Sequence, residues 1–212
     1  MFEQPWACTP GTEPVSGKNC FQNIPRCPVY PAGLAGYITL GVMNIVPATQ
    51  EHASGIARVH IRSWQAAYAG ILDQAFLSQL SVEERALRWE GILQKQESKT
   101  LVALRDDRVV GFISYGHWRH EHASSEQGEI WALYAEPQSW RQGIGRALMA
   151  QALLDLHVLG YVDVSLWVLG RNERGVNFYK SCGFSQVEGS ETQLELGGRQ
   201  VEEICLRLRN DA

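Results

Sequence analysis

The chain has 212 residues, 45% hydrophobic and 20% charged, proportions that fit one sizeable globular domain rather than a disordered or fibrous chain. Its formal net charge of -4 gives no electrostatic case for nucleic acid or an anionic membrane surface, and no apolar run approaches the ~18 residues of a bilayer-spanning helix. Cys8, Cys20, Cys27, Cys182 and Cys205 form no CxxC pair and no Cys/His group with zinc-ligand spacing, so no metal is expected; their odd number, with no secretory signal, fits a reducing cytoplasm.

Residues 1–42 stand apart. Prolines at 5, 10, 14, 25, 28 and 31 interrupt them and no period of 2 or 3.6 is sustained, so a poorly ordered Pro/Gly-rich extension is expected, with the domain spanning 43–210 and Met43 as a candidate functional start. A docked regulatory arm is the alternative. From Thr49 onward Ile56, Val59, His60, Ser63, Trp64, Ala67 and Tyr68 fall on adjoining helical turns, and Gly70 stops the pattern. Ser81 followed by Glu84 is a capping box that opens a second helix running to about Gln96. The β-rich runs 100–104 and 109–118 flank Asp106, Asp107 and Arg108, which read as a hairpin turn. The polar segment 119–127 reads as a loop, and His117, His120 and His122 have no metal-site spacing.

Residues 129–135 are an apolar, β-prone run, Pro137 cannot extend a sheet ladder, and Ala147, Leu148, Leu153, Leu154 and Leu156 follow with helical spacing. Between strand and helix lie Arg141, Gln142, Gly143, Ile144 and Gly145. A helix opening here leaves its first amides without intrahelical partners, and two residues lacking Cβ let a phosphate come close to them. A dinucleotide fingerprint would need a third Gly where Leu148 stands, and no Lys-Ser or Lys-Thr follows to make a P-loop. A strand at 162–168, a helix from Asn172, a strand at 184–187 and a hairpin of 193–196 and 200–208 around Gly197 and Gly198 complete a mixed α/β sheet with helices packed on it.

The glycine turn resembles the acetyl-CoA motif of the GNAT superfamily of N-acetyltransferases, Gln/Arg-x-x-Gly-x-Gly/Ala, with Gly143 and Gly145 as its glycines. Asn172, Gly175, Phe178, Tyr179, Gly183 and Phe184 resemble that family's Asn-x-x-Ala-x-x-Phe-Tyr-x-x-x-Gly-Phe segment, in the right order and separation. There are two departures. Trp140 stands where the family has Gln or Arg, and Gly175 stands where Ala is usual, at a cost of roughly 1 kcal/mol of helix stability.

The resemblance implies an α/β (α+β) fold: a mixed, mostly antiparallel sheet splayed at the central strand, with helices on both faces. It implies acetyl-CoA as co-substrate, its pantetheine paired like an added strand along Leu133, Tyr134 and Ala135, and its pyrophosphate met by the amides of Gln142, Gly143, Gly145 and Arg146, with Arg141 beside them. A main-chain N–H near Leu133 would stabilise the developing oxyanion. Tyr179 falls where the family has the Tyr that protonates the departing thiolate, a task suited to a phenol with a reference pKa of ~10. Asn172 would touch the pantetheine arm or cap its own helix. Glu129 resembles, by its distance before the turn, the glutamate base of histone-acetylating relatives; alternation would set Trp131 and Leu133 on its face, from which it reaches the acceptor through a water chain, the alternative being a strand-end carboxylate facing solvent. Trp64 and Tyr68, on the helix pair that walls the family's acceptor site, are candidate substrate contacts, or plain core.

The implied activity is transfer of an acetyl group from acetyl-CoA to a primary amine of a small molecule, peptide or protein, by direct attack in a ternary complex. The acidic balance and the Trp64/Tyr68 pair lean toward a cationic acceptor such as a polyamine or aminoglycoside. A homodimer through the late strands is a further implication. The alternative is a CoA-binding sensor or scaffold that kept the fold and lost catalysis, a reading supported by Trp140.

Overall fold

The computed structural model describes residues 43–119 and 124–209, so the expectations for 1–42 and for His120 and His122 lie outside the described residues. Eight strands and five helices follow in the order β1 (Asn44–Pro47), α1 (Ala53–Ala67), α2 (Gln74–Ser78), α3 (Val82–Lys95), β2 (Lys99–Arg105), β3 (Arg108–His117), β4 (Gln127–Ala135), α4 (Ile144–Val158), β5 (Asp163–Leu169), α5 (Glu173–Ser181), β6 (Ser185–Gln186), β7 (Thr192–Leu196) and β8 (Arg199–Arg209). Short 3-10 turns at Gln50–His52 and Pro137–Ser139 precede α1 and follow β4. Local chemistry fixes many of the boundaries. Ser81 Oγ accepts from the Glu84 amide at 3.1 Å to open α3, and Asp73 accepts from the Ala75 amide at 2.7 Å to open α2, a helix the periodicity did not reveal. Asp106 and Asp107 take φ of 50° and 57°, and Gly197 and Gly198 take 58° and 75°, the paired left-handed conformations of tight hairpin turns.

The strands form one sheet in the order β1-β2-β3-β4-β5-β8-β6, with β7 also on β8. Every pairing is antiparallel except β4 with β5. One face packs on α4 and α5 through Ile144, Leu148, Met149, Leu156 and Val176, against Ile113, Ile130, Val164 and Leu166. The other packs on α1, α2 and α3 through Ile56, Val59, Leu77 and Trp89, against Val102, Phe112, Leu169 and Val201. The sheet is thus mixed, mostly antiparallel and covered on both faces, as expected. Among the described residues no helix is long and apolar enough to cross a membrane.

Two irregularities of β4 shape the site. It pairs with β5 only from Gln127↔Asp163 to Ile130↔Leu166, yet stays on β3 as far as Ala135, while β5 stays on β8 as far as Leu169. A gap therefore opens between β4 and β5 beyond Ile130. In addition, Ser114 faces Ala132 and Tyr115 faces Ile130 across β3 and β4, leaving Trp131 as an unopposed bulge residue. The bulge breaks the alternation expected from Glu129. Trp131 stays on the Glu129 side, near Gly116, but Leu133 turns with Ile130 and Ala135 toward α4, and it is Ala132 and Tyr134 that share the α1 face with Glu129.

Candidate active site

At one end of the gap, α4 begins without a side-chain cap. Gly143 is its N-cap at φ 84°, and the intrahelical ladder starts only with the Ala147 amide donating to the Gly143 carbonyl at 2.9 Å. The amides of Ile144, Gly145 and Arg146 have no partner within the helix, and no acidic residue occupies its first turn. Orphaned donors at the positive end of a 15-residue helix fit an anionic diphosphate. Arg141 also sits in the left-handed region, at φ 62°, a strained conformation for a residue with a Cβ. The two glycines have separate jobs. Gly143 supplies the positive φ, whereas a Cβ on Gly145 would lie 3.3 Å from the Phe178 ring, so its absence lets α5 pack closely on α4. The side chains of Gln142 and Arg146 are tethers: Gln142 Oε1 accepts from Arg105 Nη1 at 2.9 Å, and Arg146 Nη2 donates to Ser181 Oγ at 3.2 Å.

Trp140, the departure from the motif, is anchored. Its Nε1 donates to the Ala135 carbonyl at 2.8 Å, and the Arg174 guanidinium lies 4.0 Å over its ring. Ser63 Oγ donates to the same carbonyl at 2.7 Å. The Glu136 amide bonds Val110 of β3, so the Ala135 carbonyl, on the opposite side of that peptide, points into the gap. This amends the expected run of three backbone contacts. Leu133 and Ala135 direct backbone groups at the gap, but the Ala135 carbonyl is doubly engaged and the Tyr134 backbone faces β3, where it opposes Phe112.

Tyr134 enters the site by its side chain instead. Its ring stacks on His60 at 4.7 Å, and burial pushes its hydroxyl above the ordinary phenol range. Tyr179 comes from α5, edge-on to Phe178 at 5.4 Å and to Phe184 at 6.1 Å, and its hydroxyl is raised by burial, then by Tyr134 and Cys182. Tyr68 is also raised, by burial and then Tyr134, with Tyr179 and Glu203 contributing. The three hydroxyls are therefore close enough to feel one another and remain protonated donors at neutral pH. Trp64 and Tyr68 are 4% and 8% exposed, packed with Leu72, Leu77 and Leu169. They line the inside of this wall rather than an open surface. Asn172 Oδ1 accepts from the Gly175 amide at 3.1 Å and so caps α5; a Cβ on Gly175 would lie 2.6 Å from Asn172 Nδ2, which accounts for Gly at that position.

Glu129 neither faces solvent nor stands free. It is 4% exposed, and Arg119 grips both its oxygens: Nη2 meets Oε1 at 2.5 Å, while Nε and the backbone amide donate to Oε2 at 3.2 and 3.1 Å. The same guanidinium lies 4.3 Å over the Trp131 ring.

The gap thus has a helix N-terminus at one end and a half-buried tyrosine from α5 near it. The model of the Acetyltransferase (GNAT) family matches residues 58–184, more than half of the chain. The chain belongs to the GNAT acetyltransferase family. It is similar to an uncharacterised N-acetyltransferase of Bacillus subtilis strain 168, 29% identical over 167 residues that cover 78% of this chain and 92% of that protein. A mycothiol acetyltransferase of Streptomyces scabiei is 27% identical over 164 residues, 77% of this chain but 47% of that protein, so the chain spans less than half of that relative. Among solved structures, the PaiA N-acetyltransferase of Thermoplasma acidophilum in complex with coenzyme A has a TM-score of 0.58 at 22% identity, covering 76% of this chain and 98% of that one. The ribosomal-protein-alanine N-acetyltransferase of Brucella melitensis has a TM-score of 0.62 at 20% identity, covering 78% and 99%. At those identities the likeness is one of fold.

In this GNAT domain, reading by motif passes over two side chains. Arg119 lies in a polar stretch with no motif around it. Glu203, 6% exposed on β8, sits between Val201 and Cys205 at two-residue spacing, a pattern that places it on a buried face, but nothing in the sequence says which strand lies beside it.

Proposed function

We propose that this GNAT member is an N-acetyltransferase that moves the acetyl group of acetyl-CoA to a primary amine by direct attack in a ternary complex. The observation that carries this reading is the gap between β4 and β5, with uncapped α4 amides at one end and the Tyr179 hydroxyl beside it. Acetyl-CoA supplies the electrophilic thioester. The amides of Gly143, Ile144, Gly145 and Arg146 hold the diphosphate, with Arg141 beside it, and Leu133 and Ala135 offer strand-like pairing to the pantetheine arm. The Leu133 amide is the donor toward the thioester oxygen, where negative charge develops. Tyr179 gives its proton to the departing sulfur, and the apolar packing that keeps its phenol protonated also keeps water from competing. Asn172 holds α5 in the orientation that aims Tyr179, and its Nδ2 is left for the arm. Trp64 and Tyr68 back the acceptor wall on the α1 side, with Tyr134 nearer the gap.

The relatives named for mycothiol and for ribosomal-protein alanine are too distant to lend their acceptors to this chain. The test is release of CoA thiol from acetyl-CoA with polyamines, aminoglycosides, amino acids and Lys-bearing peptides, comparing the intact chain with Tyr179→Phe. Turnover on one class of amine, cut roughly 10²-fold by the substitution, supports the reading. Acetyl-CoA binding without turnover on any of them contradicts it and favours a CoA-binding sensor.

A further inference from the structure

We propose that Glu203 is the general base of the acetyl transfer, taking the proton from the acceptor's ammonium group on the α1 side of the gap. The assignment rests on the acetyl-transfer reading above. Glu203 lies on β8 opposite Leu169, the last residue of β5, where β5 has already parted from β4. Its face of the sheet is the one covered by α1 and α2, shared with Val201, Trp64 and Tyr68. It is nine-tenths buried, yet among the described residues no ion pair or hydrogen bond claims its carboxylate. Around it stand Tyr68 from the end of α1 and Tyr134 and Glu129 from β4; Tyr179 of α5 acts on Tyr68 and is itself raised by Tyr134, and Arg85 of α3 acts on Tyr134.

The division of labour between the two carboxylates follows from their partners. Glu129 is gripped at both oxygens by Arg119, so its lone pairs are already engaged. Among the described residues no cation pairs with Glu203, and burial together with the negative Glu129 pushes it up to about 7, where a carboxylate exchanges protons readily at neutral pH. An ammonium group entering beside it also supplies the missing counter-charge.

The Glu203 carboxylate accepts one proton from the ammonium group, and the freed nitrogen lone pair forms the C–N bond to the thioester carbonyl carbon. The C–S bond breaks, the sulfur takes the Tyr179 proton, and the nitrogen returns its second surplus proton to the Tyr179 oxygen. The products are an amide, a CoA thiol and a proton that Glu203 releases to solvent.

The test is the pH dependence of kcat/KM on the full chain, with the best amine found above, for the wild type, Glu203→Gln and Glu203→Asp, alongside acetyl-CoA binding to each. The wild type is expected to gain activity as pH rises through about 7. Glu203→Gln is expected to bind acetyl-CoA normally, lose about 100-fold in rate and lack that limb. A Glu203→Gln variant with the wild-type rate and an unmoved limb overturns the assignment. Should that variant fail to fold, Glu203→Asp decides: a displaced limb supports the base and an unmoved one overturns it. A wild type silent with every amine sinks the acetyl-transfer reading and the base together, whereas wild-type turnover with an indifferent Glu203→Gln sinks the base alone.

Discussion

Glu203 is buried beside Tyr68, Tyr134 and the negative Glu129, and that placement has a consequence for stability as well as for chemistry. Its carboxyl binds a proton up to about 7 in the folded chain, against a reference of 4.5, so the folded state holds that proton more tightly than the unfolded one. The stability linked to this group is fully present below about 4.5 and is lost as pH rises through about 7. A neutral isostere escapes the loss. Glu203→Gln is therefore expected to be more stable than the wild type above that window, by up to roughly 3 kcal/mol, while matching it below; urea midpoints at the two ends check this, and a variant weaker at the alkaline end contradicts it. Trp140→Phe removes one of the two donors on the Ala135 carbonyl while Ser63 remains, so a loss of about 1 kcal/mol is expected in the same measurement. Gly143, Gly145, Asn172 and Tyr179 were legible as candidates because a short local motif holds them. Glu203 was not, because its neighbours on Tyr68 and Tyr134 are set by β8 pairing with β5, more than 30 residues away in sequence, and no local spacing records that.

At the scale of elements, the start of α4 depends on one dihedral. Gly143 at φ 84° ends the approach from the Pro137–Ser139 turn and aims the first amides of the helix outward. Gly143→Ala forces a side chain into the left-handed region at a cost of about 1–2 kcal/mol, and acetyl-CoA affinity by calorimetry is expected to fall by up to about tenfold as the loop relaxes. Unchanged affinity would mean that the α4 amides are not the anion site. The hairpin turns, the α3 cap and the three long helices could be read in advance, since Asp106, Asp107, Gly197, Gly198 and Ser81 each carry their own local reason and α1, α3 and α4 are long enough to show a period. What could not be read were α2, whose five residues give too little periodicity, and the bulge at Trp131, which exists only relative to β3. That bulge also sets the surroundings of Glu129. It keeps Trp131 and Arg119 around the carboxylate but sends Leu133 to the other face, so that Tyr134 becomes the side chain between Glu129 and the gap.

At the scale of the molecule, the sheet spends cohesion to make room. β4 and β5 are paired for four residues and then part, so that among the described residues no strand lies beside the backbone of Leu133 and the amide of Ala135 on that side. A ligand that enters the gap as a strand should close this edge. Acetyl-CoA at 100 times its Kd is expected to add about 2.7 kcal/mol to the stability of the whole domain, and to slow hydrogen exchange at Leu133, Ala135 and the first turn of α4 ahead of other amides. Slowing confined to α4, with the β4 amides unaffected, would count against strand-like binding in the gap. The fold class was legible from the order of elements and two motifs, and a splay at the central strand was implied by the family; the strand order, the residue at which β4 and β5 part and the bulge are set by packing between distant segments.

The most direct measurement follows the acetyl group itself. With acetyl-CoA labelled in the acetyl carbons and the preferred amine present, label is expected in an amide on the acceptor, at a rate equal to CoA release and lowered in both Tyr179→Phe and Glu203→Gln. Label recovered as free acetate, or CoA bound with the acetyl group intact whatever amine is supplied, would contradict it.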